Sequence, residues 1–200
     1  MLRQGGGSAG DAGLGIATGT GMSSNKSSQD DENAPIEVVS YDPAWPSRFE
    51  EERAVLEGLL AHWLVADIEH VGSTAVPGLA AKPVIDIMVP VASLEASRGS
   101  IEAASHAGYT YWPYKADVMH WFCKPSAAHR THHLHIVPFE SPLWFARLRF
   151  RDALRSDARL AERYAELKRH LAQRYRYDRE AYTEGKTDFV TAVLVGAGGR

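Results

Sequence analysis

Three side chains on two strand-like segments have the types and spacing to act together. Alternate residues of a β-strand share a face. In "VIDIMVPV" (84–91) Asp86 therefore points with Val84 and Met88, while Ile85, Ile87 and Val89 point the other way. In "HHLHIVPF" (132–139) His133, His135 and Val137 share one face, and Leu134 and Ile136 the other. Imidazoles two residues apart on a strand are rooted about 7 Å apart, so both can reach one cation. If the two strands are neighbours, Asp86, His133 and His135 form a three-ligand set with open positions, as a catalytic metal requires. Otherwise the histidines are exposed on a sheet face or hydrogen-bonded in the core. An unpaired buried carboxylate is costly, so Asp86 has structural partners or faces a ligand.

A second group has the chemistry of anion binding. The turn "GST" (Gly72, Ser73, Thr74) can offer backbone N–H groups and two hydroxyls to a phosphate. Lys82, just upstream of the Asp86 strand, is a phosphate ligand or a solvated loop cation. Lys186 falls four residues after Tyr182 and three before Phe189, inside an apolar helical stripe. A lysine there snorkels or reaches a site, with Tyr182 beside it. Arg151 is a further phosphate ligand or a surface charge.

The elements that must position these groups read as a mixed α/β core followed by a helical C-terminal portion. "IEVVSY" (36–41) and "LVADIEHV" (64–71) read as strands, and the segment between them as a helix with a Phe49, Leu56, Leu59, Leu60 stripe. Acidic residues in the early turns of that helix suit its dipole. A second helix is expected from Ser93, with Gly99 a weak point. "YTYW", "HWFCK" and "HHLHIVPF" supply further strands. From Pro142 onward the pattern is helical in three pieces, capped by Ser141, by Ser156 or Asp157, and by Asp178. Leu160, Tyr164, Leu167 and Leu171 form the apolar stripe of one of them.

The chain has 200 residues, 44% hydrophobic and 24% charged, with a formal net charge of −3. Such a balance argues against a general nucleic-acid binder. The basic stretch from Arg147 to Glu180 holds eleven Lys/Arg but also six Asp/Glu, so it reads as solvated faces. Cys123 is the single cysteine, which leaves no internal disulfide and suits a reducing, cytoplasmic setting. No apolar run approaches the roughly 18 residues of a membrane span, and the N-terminus lacks a signal-peptide h-region. Residues 1 to 34, rich in Gly and Ser and devoid of aromatics, are expected to be disordered, with Met22 an alternative start. One globular domain is expected over residues 35 to 196.

The blocks "YDPAWPSRFEEE", "IEHVGSTAVPGLAAKPVIDIMV", "THHLHIV", "LRFRDALR" and "REAYTEGKTDFV" occur in that order. Together they resemble the GrpB-like family, a branch of the DNA polymerase beta-type nucleotidyltransferase superfamily. The resemblance implies a minimal nucleotidyltransferase fold: a mixed β-sheet with flanking helices and an active site on one sheet face. It implies transfer of a nucleoside monophosphate from an NTP to a small acceptor, assisted by a divalent metal. Gly72, Ser73 and Thr74 would cradle phosphates, and Lys82, Arg151 and Lys186 would neutralise their charge. Asp86 matches the first acid of the superfamily's acid-x-acid pair. The second acid position is Met88, and the third is taken by the His133/His135 strand. Magnesium prefers oxygen ligands, so this set favours Zn²⁺ or Mn²⁺ over Mg²⁺, or proton transfer in place of ligation. His70, leading into the turn, is a further candidate base. Two alternatives stand beside the transferase: a metal-dependent hydrolase or ligase using Asp/His/His, and a nucleotide-binding regulatory module, since family members occur fused to dephospho-coenzyme A kinase. No P-loop pattern is present, so the chain is not itself that kinase.

Overall fold

The computed structural model describes residues 34 to 197. The expectation of disorder up to residue 34 therefore falls outside the described residues, except for Ala34. The first helix, α1 (Trp45–Leu60), buries Trp45, Phe49, Glu52, Leu56 and Leu60 at helical spacing. It starts late enough that Glu50, Glu51 and Glu52 lie beyond its first turn, so the dipole argument does not apply to them. Buried Glu52 is instead matched by Lys124, whose Nζ lies 2.9 Å from both carboxylate oxygens.

Strands β1 (Glu69–Val71), β2 (Ile85–Val91), β3 (Thr110–Trp112), β4 (His120–Pro125) and β5 (Arg130–Pro138) form one mixed sheet in the order β1-β2-β5-β4-β3. Only β2 and β5 run parallel. The expected strand over 36–41 is reduced to a single bridge, Val39 to Ala81, and that over 64–71 to β1 plus a Leu64–Val91 bridge. One face carries Ile85, Ile87, Val89, Phe122, Leu134 and Ile136 into the main core, beneath α1 and α2 (Gly99–His106). That second helix begins six residues later than the sequence suggests, after a series of turns in which Ser93 Oγ accepts from the Ala96 N–H.

The opposite face packs Val71, Met88, Met119 and Val137 under Trp144 of α3 (Pro142–Ser156). Ser141 and Asp157 cap α3 and α4 (Ala158–Arg174) as expected. The last expected helix is two, α5 (Arg179–Glu184), capped by Asp178, and α6 (Thr187–Ala197). The break falls at Gly185 and Lys186, so Lys186 lies in a turn between the two helices and not within one helical stripe; a Cβ on Gly185 would stand 2.6 Å from Leu171 Cδ2. A side chain there would press on the Leu171 methyl groups of α4. Among the described residues no helix is long and apolar enough to cross a membrane.

Candidate functional site

The parallel pairing of β2 with β5 sets Asp86 opposite His133 and Met88 opposite His135, on the face away from the main core. The three predicted side chains meet there. His133 Nδ1 lies 3.0 Å from Asp86 Oδ1, and His135 Nε2 lies 3.4 Å from the same oxygen. Gly72, at φ +74°, lets the carboxylate come this close to the turn: a Cβ on it would stand 2.3 Å from Asp86 Oδ2.

Neighbouring groups fix the protons. Arg147 of α3 places Nη2 3.2 Å from His135 Nδ1. A guanidinium only donates, so His135 Nδ1 accepts and its Nε2 carries the hydrogen given to Asp86. His133 likewise donates from Nδ1, which leaves its Nε2 a lone pair, and that atom is buried with no hydrogen-bond partner. Burial pushes the Asp86 carboxyl up, but the hydrogen bonds from His133 and His135 outweigh it and hold the group well below the usual carboxylate range. Burial also lowers both imidazoles against the pull of Asp86, and with Arg147 adding to it His135 falls to about 3. The resting state is one carboxylate and two neutral imidazoles.

One potential ligand atom from each of the three residues lies within 4.8 Å of the others, so by distance alone the group could hold a metal. The donor chemistry does not fit a resident ion. For His135 Nε2 to coordinate, its hydrogen would have to move to Nδ1, where it would face the Arg147 N–H. A ligating histidine ordinarily donates from that second nitrogen to an acceptor, and here it meets a cation.

Cations surround the cluster. Lys82, Lys168, Lys186 and Arg147 all lie near enough to Asp86 to feel its charge, and Arg130 and Arg179 act on Lys82 in turn. None of these six makes an ion pair with a carboxylate among the described residues. Burial and neighbouring cations push Lys168 down to about 7 and Lys82 to about 8; burial alone brings Lys186 to about 8. Lys168 Nζ donates to Ala80 O at 2.6 Å, Lys186 Nζ lies 4.3 Å from the Tyr182 ring centroid, and Arg179 donates to the carbonyls of Ala127 and Ala128. A register shift at Lys124/Pro125 leaves Arg130 over the Trp121 ring, at 5.2 Å. Neutral carbonyls and rings hold these charges in place without cancelling them.

Residues 35–195 match the GrpB protein family. The chain belongs to that family. It is 40% identical over 163 residues to a UPF0157 protein of Pseudomonas aeruginosa, covering 80% of this chain and 66% of that protein's length. The crystal structure of the conserved GrpB protein from Enterococcus faecalis superposes with a TM-score of 0.73 at 34% identity, covering 80% of this chain and 96% of that one. A dephospho-CoA kinase of Mycolicibacterium paratuberculosis shares 39% identity over 88 residues, 42% of this chain and 21% of that protein.

Not every residue singled out in this GrpB-family sequence joins the cluster. Gly72, Ser73, Lys82, Tyr182 and Lys186 border it. His70 stands opposite Ile87 on the other face of the sheet, stacked on Phe49 at 4.6 Å. Burial lowers it to about 4, and its Nε2–H is taken by Thr74 Oγ1 at 3.1 Å. The Thr74 hydroxyl in turn donates to Val84 O, so neither group is free for a ligand. Arg151 is engaged elsewhere, with Glu69, Asp152 and the His70 carbonyl. Conversely, the cluster also takes in Arg130, Arg147, Lys168 and Arg179, which the sequence motifs do not mark. Lys168 carries the same signal as Lys186: it lies four residues after Tyr164 and three before Leu171. Arg147 is one helical turn before Arg151, but only its fit against β5 marks it.

Proposed function

We propose that this GrpB-family protein is a nucleotidyltransferase-type enzyme that moves a nucleoside monophosphate from an NTP to a small acceptor. One observation carries the reading: six cations without carboxylate partners among the described residues gather around a single acid beside a Gly-Ser turn. Clustered, partly desolvated cations favour a polyanion, and a glycine turn carrying a half-buried hydroxyl suits its phosphates. Gly72 and Ser73 would meet the phosphates, with Lys82, Lys186, Arg130 and Arg179 around them.

His133 Nε2 supplies the base. Its lone pair is buried and unsatisfied, and Asp86 on Nδ1 stabilises the imidazolium that forms when it takes a proton. In the step, the acceptor O–H gives its proton to His133 Nε2 as its oxygen bonds the α-phosphorus. The bond from that phosphorus to the β-phosphate bridging oxygen breaks, and pyrophosphate leaves on the lysines. His135, locked by Arg147 as a donor, holds the carboxylate in position.

The test uses NTPs labelled at the α-phosphorus, incubated with a small-molecule extract. Wild-type protein is expected to move label into a new product and Asp86→Asn to form none while melting as a folded protein. Full label transfer by Asp86→Asn would sink the assignment. A second reading, a nucleotide-binding module without turnover, is favoured by the partial likeness to a dephospho-CoA kinase. Tight NTP binding with no label transfer to any acceptor would support it.

A further inference from the structure

We propose that the site neutralises its polyphosphate with protein cations and needs no divalent ion to bind it. The inference rests on the transferase reading above and specifies how that site holds its donor. In a metal-dependent transfer site, carboxylates hold ions and the ions hold phosphates. Here the charge pattern is inverted. The one carboxylate is saturated on Oδ1 by two imidazole N–H groups, its neighbour two residues on is Met88, and no second acid reaches the cluster among the described residues. Around it Lys82, Lys186, Arg130 and Arg179 are half-buried and Lys168 is fully buried, and a metal ion would enter against their charge. The same positions occupied by ammonium and guanidinium groups suit phosphate oxygens directly, with guanidinium forks binding two oxygens at once.

Arg147 is the residue that keeps the histidines out of metal chemistry. Its Nη2 to His135 contact fixes the Nε2–H form, and its Nε is buried without a partner, so the guanidinium retains donor capacity beside the cluster. Removing it would let His135 carry its hydrogen on Nδ1 and turn Nε2 outward as a ligand.

The probe is inorganic tripolyphosphate, titrated calorimetrically into the full chain in EDTA and again in millimolar Mg²⁺ or Mn²⁺. The expected affinity in EDTA is within tenfold of, or tighter than, that with metal. Asp86→Asn, which removes the one negative charge, should bind tripolyphosphate more tightly than wild type. Arg147→Met should gain at least tenfold in Zn²⁺ affinity, read by competition with a chromophoric chelator. Affinity more than tenfold weaker in EDTA, or lost in Asp86→Asn, would overturn this inference and leave the transferase reading standing with a metal in it. No binding of tripolyphosphate under any of these conditions, with no shift by any NTP, would remove both.

Discussion

The fold treats two groups of basic side chains in opposite ways, one at the β1 edge of the sheet and one around Asp86. Near the sheet edge, Arg53 pairs with Glu50 and Glu57, and Arg151 with Glu69 at 2.6 Å and Asp152 at 2.8 Å. Burial lowers the Arg151 guanidinium, but its acidic partners outweigh that and hold it raised. Around Asp86, Lys82, Lys168 and Lys186 have no such partners among the described residues and are all depressed. Matched charges hold structure together. Unmatched ones raise the free energy of the empty protein and lower it again when an anion arrives.

The largest test of that contrast exchanges roles between the groups. Lys82→Met with Lys186→Met should weaken tripolyphosphate at least about 100-fold, since each charge-assisted hydrogen bond to the anion is worth roughly tenfold. The melting temperature should hold or rise, because two poorly compensated cations are gone. Arg151→Met should do the reverse. It strands Glu69 beside β1 and costs about 1–3 kcal/mol in urea unfolding, with tripolyphosphate affinity unchanged. If Arg151→Met weakened binding as strongly as the lysine variants, the division between structural and ligand-binding cations would be wrong.

A smaller effect comes from protonation, and its two consequences run in opposite directions. Lys82 and Lys186, at about 8 in the free protein, begin to discharge there, so tripolyphosphate affinity should fall as pH rises from 8 to 10. Binding above pH 8 should take up protons, seen as a dependence of the measured heat on buffer ionisation enthalpy. Stability should move the other way. From about pH 7, where Lys168 titrates in the fold, to about 10.5, where it titrates unfolded, the unfolded chain binds more protons, so the native state gains with rising pH. On the acid side the same rule applies to His70 and His135, depressed to about 4 and about 3. Stability is lost as pH falls below about 6.5. Affinity and stability profiles of the same sign above pH 8 would contradict the assignment.

How far this was legible in the sequence follows from the range of each signal. Period-two alternation is local, and it placed Asp86, His133 and His135 on their faces correctly. Their meeting needed β2 and β5 to be neighbours, and the segment between them, residues 92–129, carries no local mark of that pairing. Face also decided His70. Val71 pairs with Asp86, so alternation puts His70 on the other face, and only its nearness in sequence to the turn suggested otherwise. Lys186 and Lys168 share one helical signature, yet Lys168 was hidden by a stripe of four apolar neighbours. Arg130 and Arg179 had no signature at all, since carbonyls of residues 127 and 128, set by a register shift, hold them. The short edge elements failed for a physical reason: over 36–41 the backbone meets another strand-like segment only at Ala81, and the Ile36 N–H goes instead to the Arg176 carbonyl.

The finest division lies between two adjacent hydroxyls, Ser73 and Thr74. Both sit in the single 3₁₀ turn Ser73–Ala75 after Gly72, and the sequence offers no reason to separate them. Thr74 is 1% exposed, and its oxygen is used twice, accepting from His70 and donating to Val84 O. Ser73 is half-buried, beside Tyr164 at the edge of the cation cluster. Thr74→Val should therefore leave a buried imidazole N–H and a carbonyl unpaired and cost about 1–3 kcal/mol of stability, with tripolyphosphate affinity unaltered. Ser73→Ala should leave the melting temperature in place and weaken tripolyphosphate by about threefold to tenfold, the net worth of one hydrogen bond to a charged group. Measured together on one pair of variants, the two effects cross. Equal losses of affinity in both would mean that the turn binds phosphate as a unit and that the His70–Thr74–Val84 chain opens when it does.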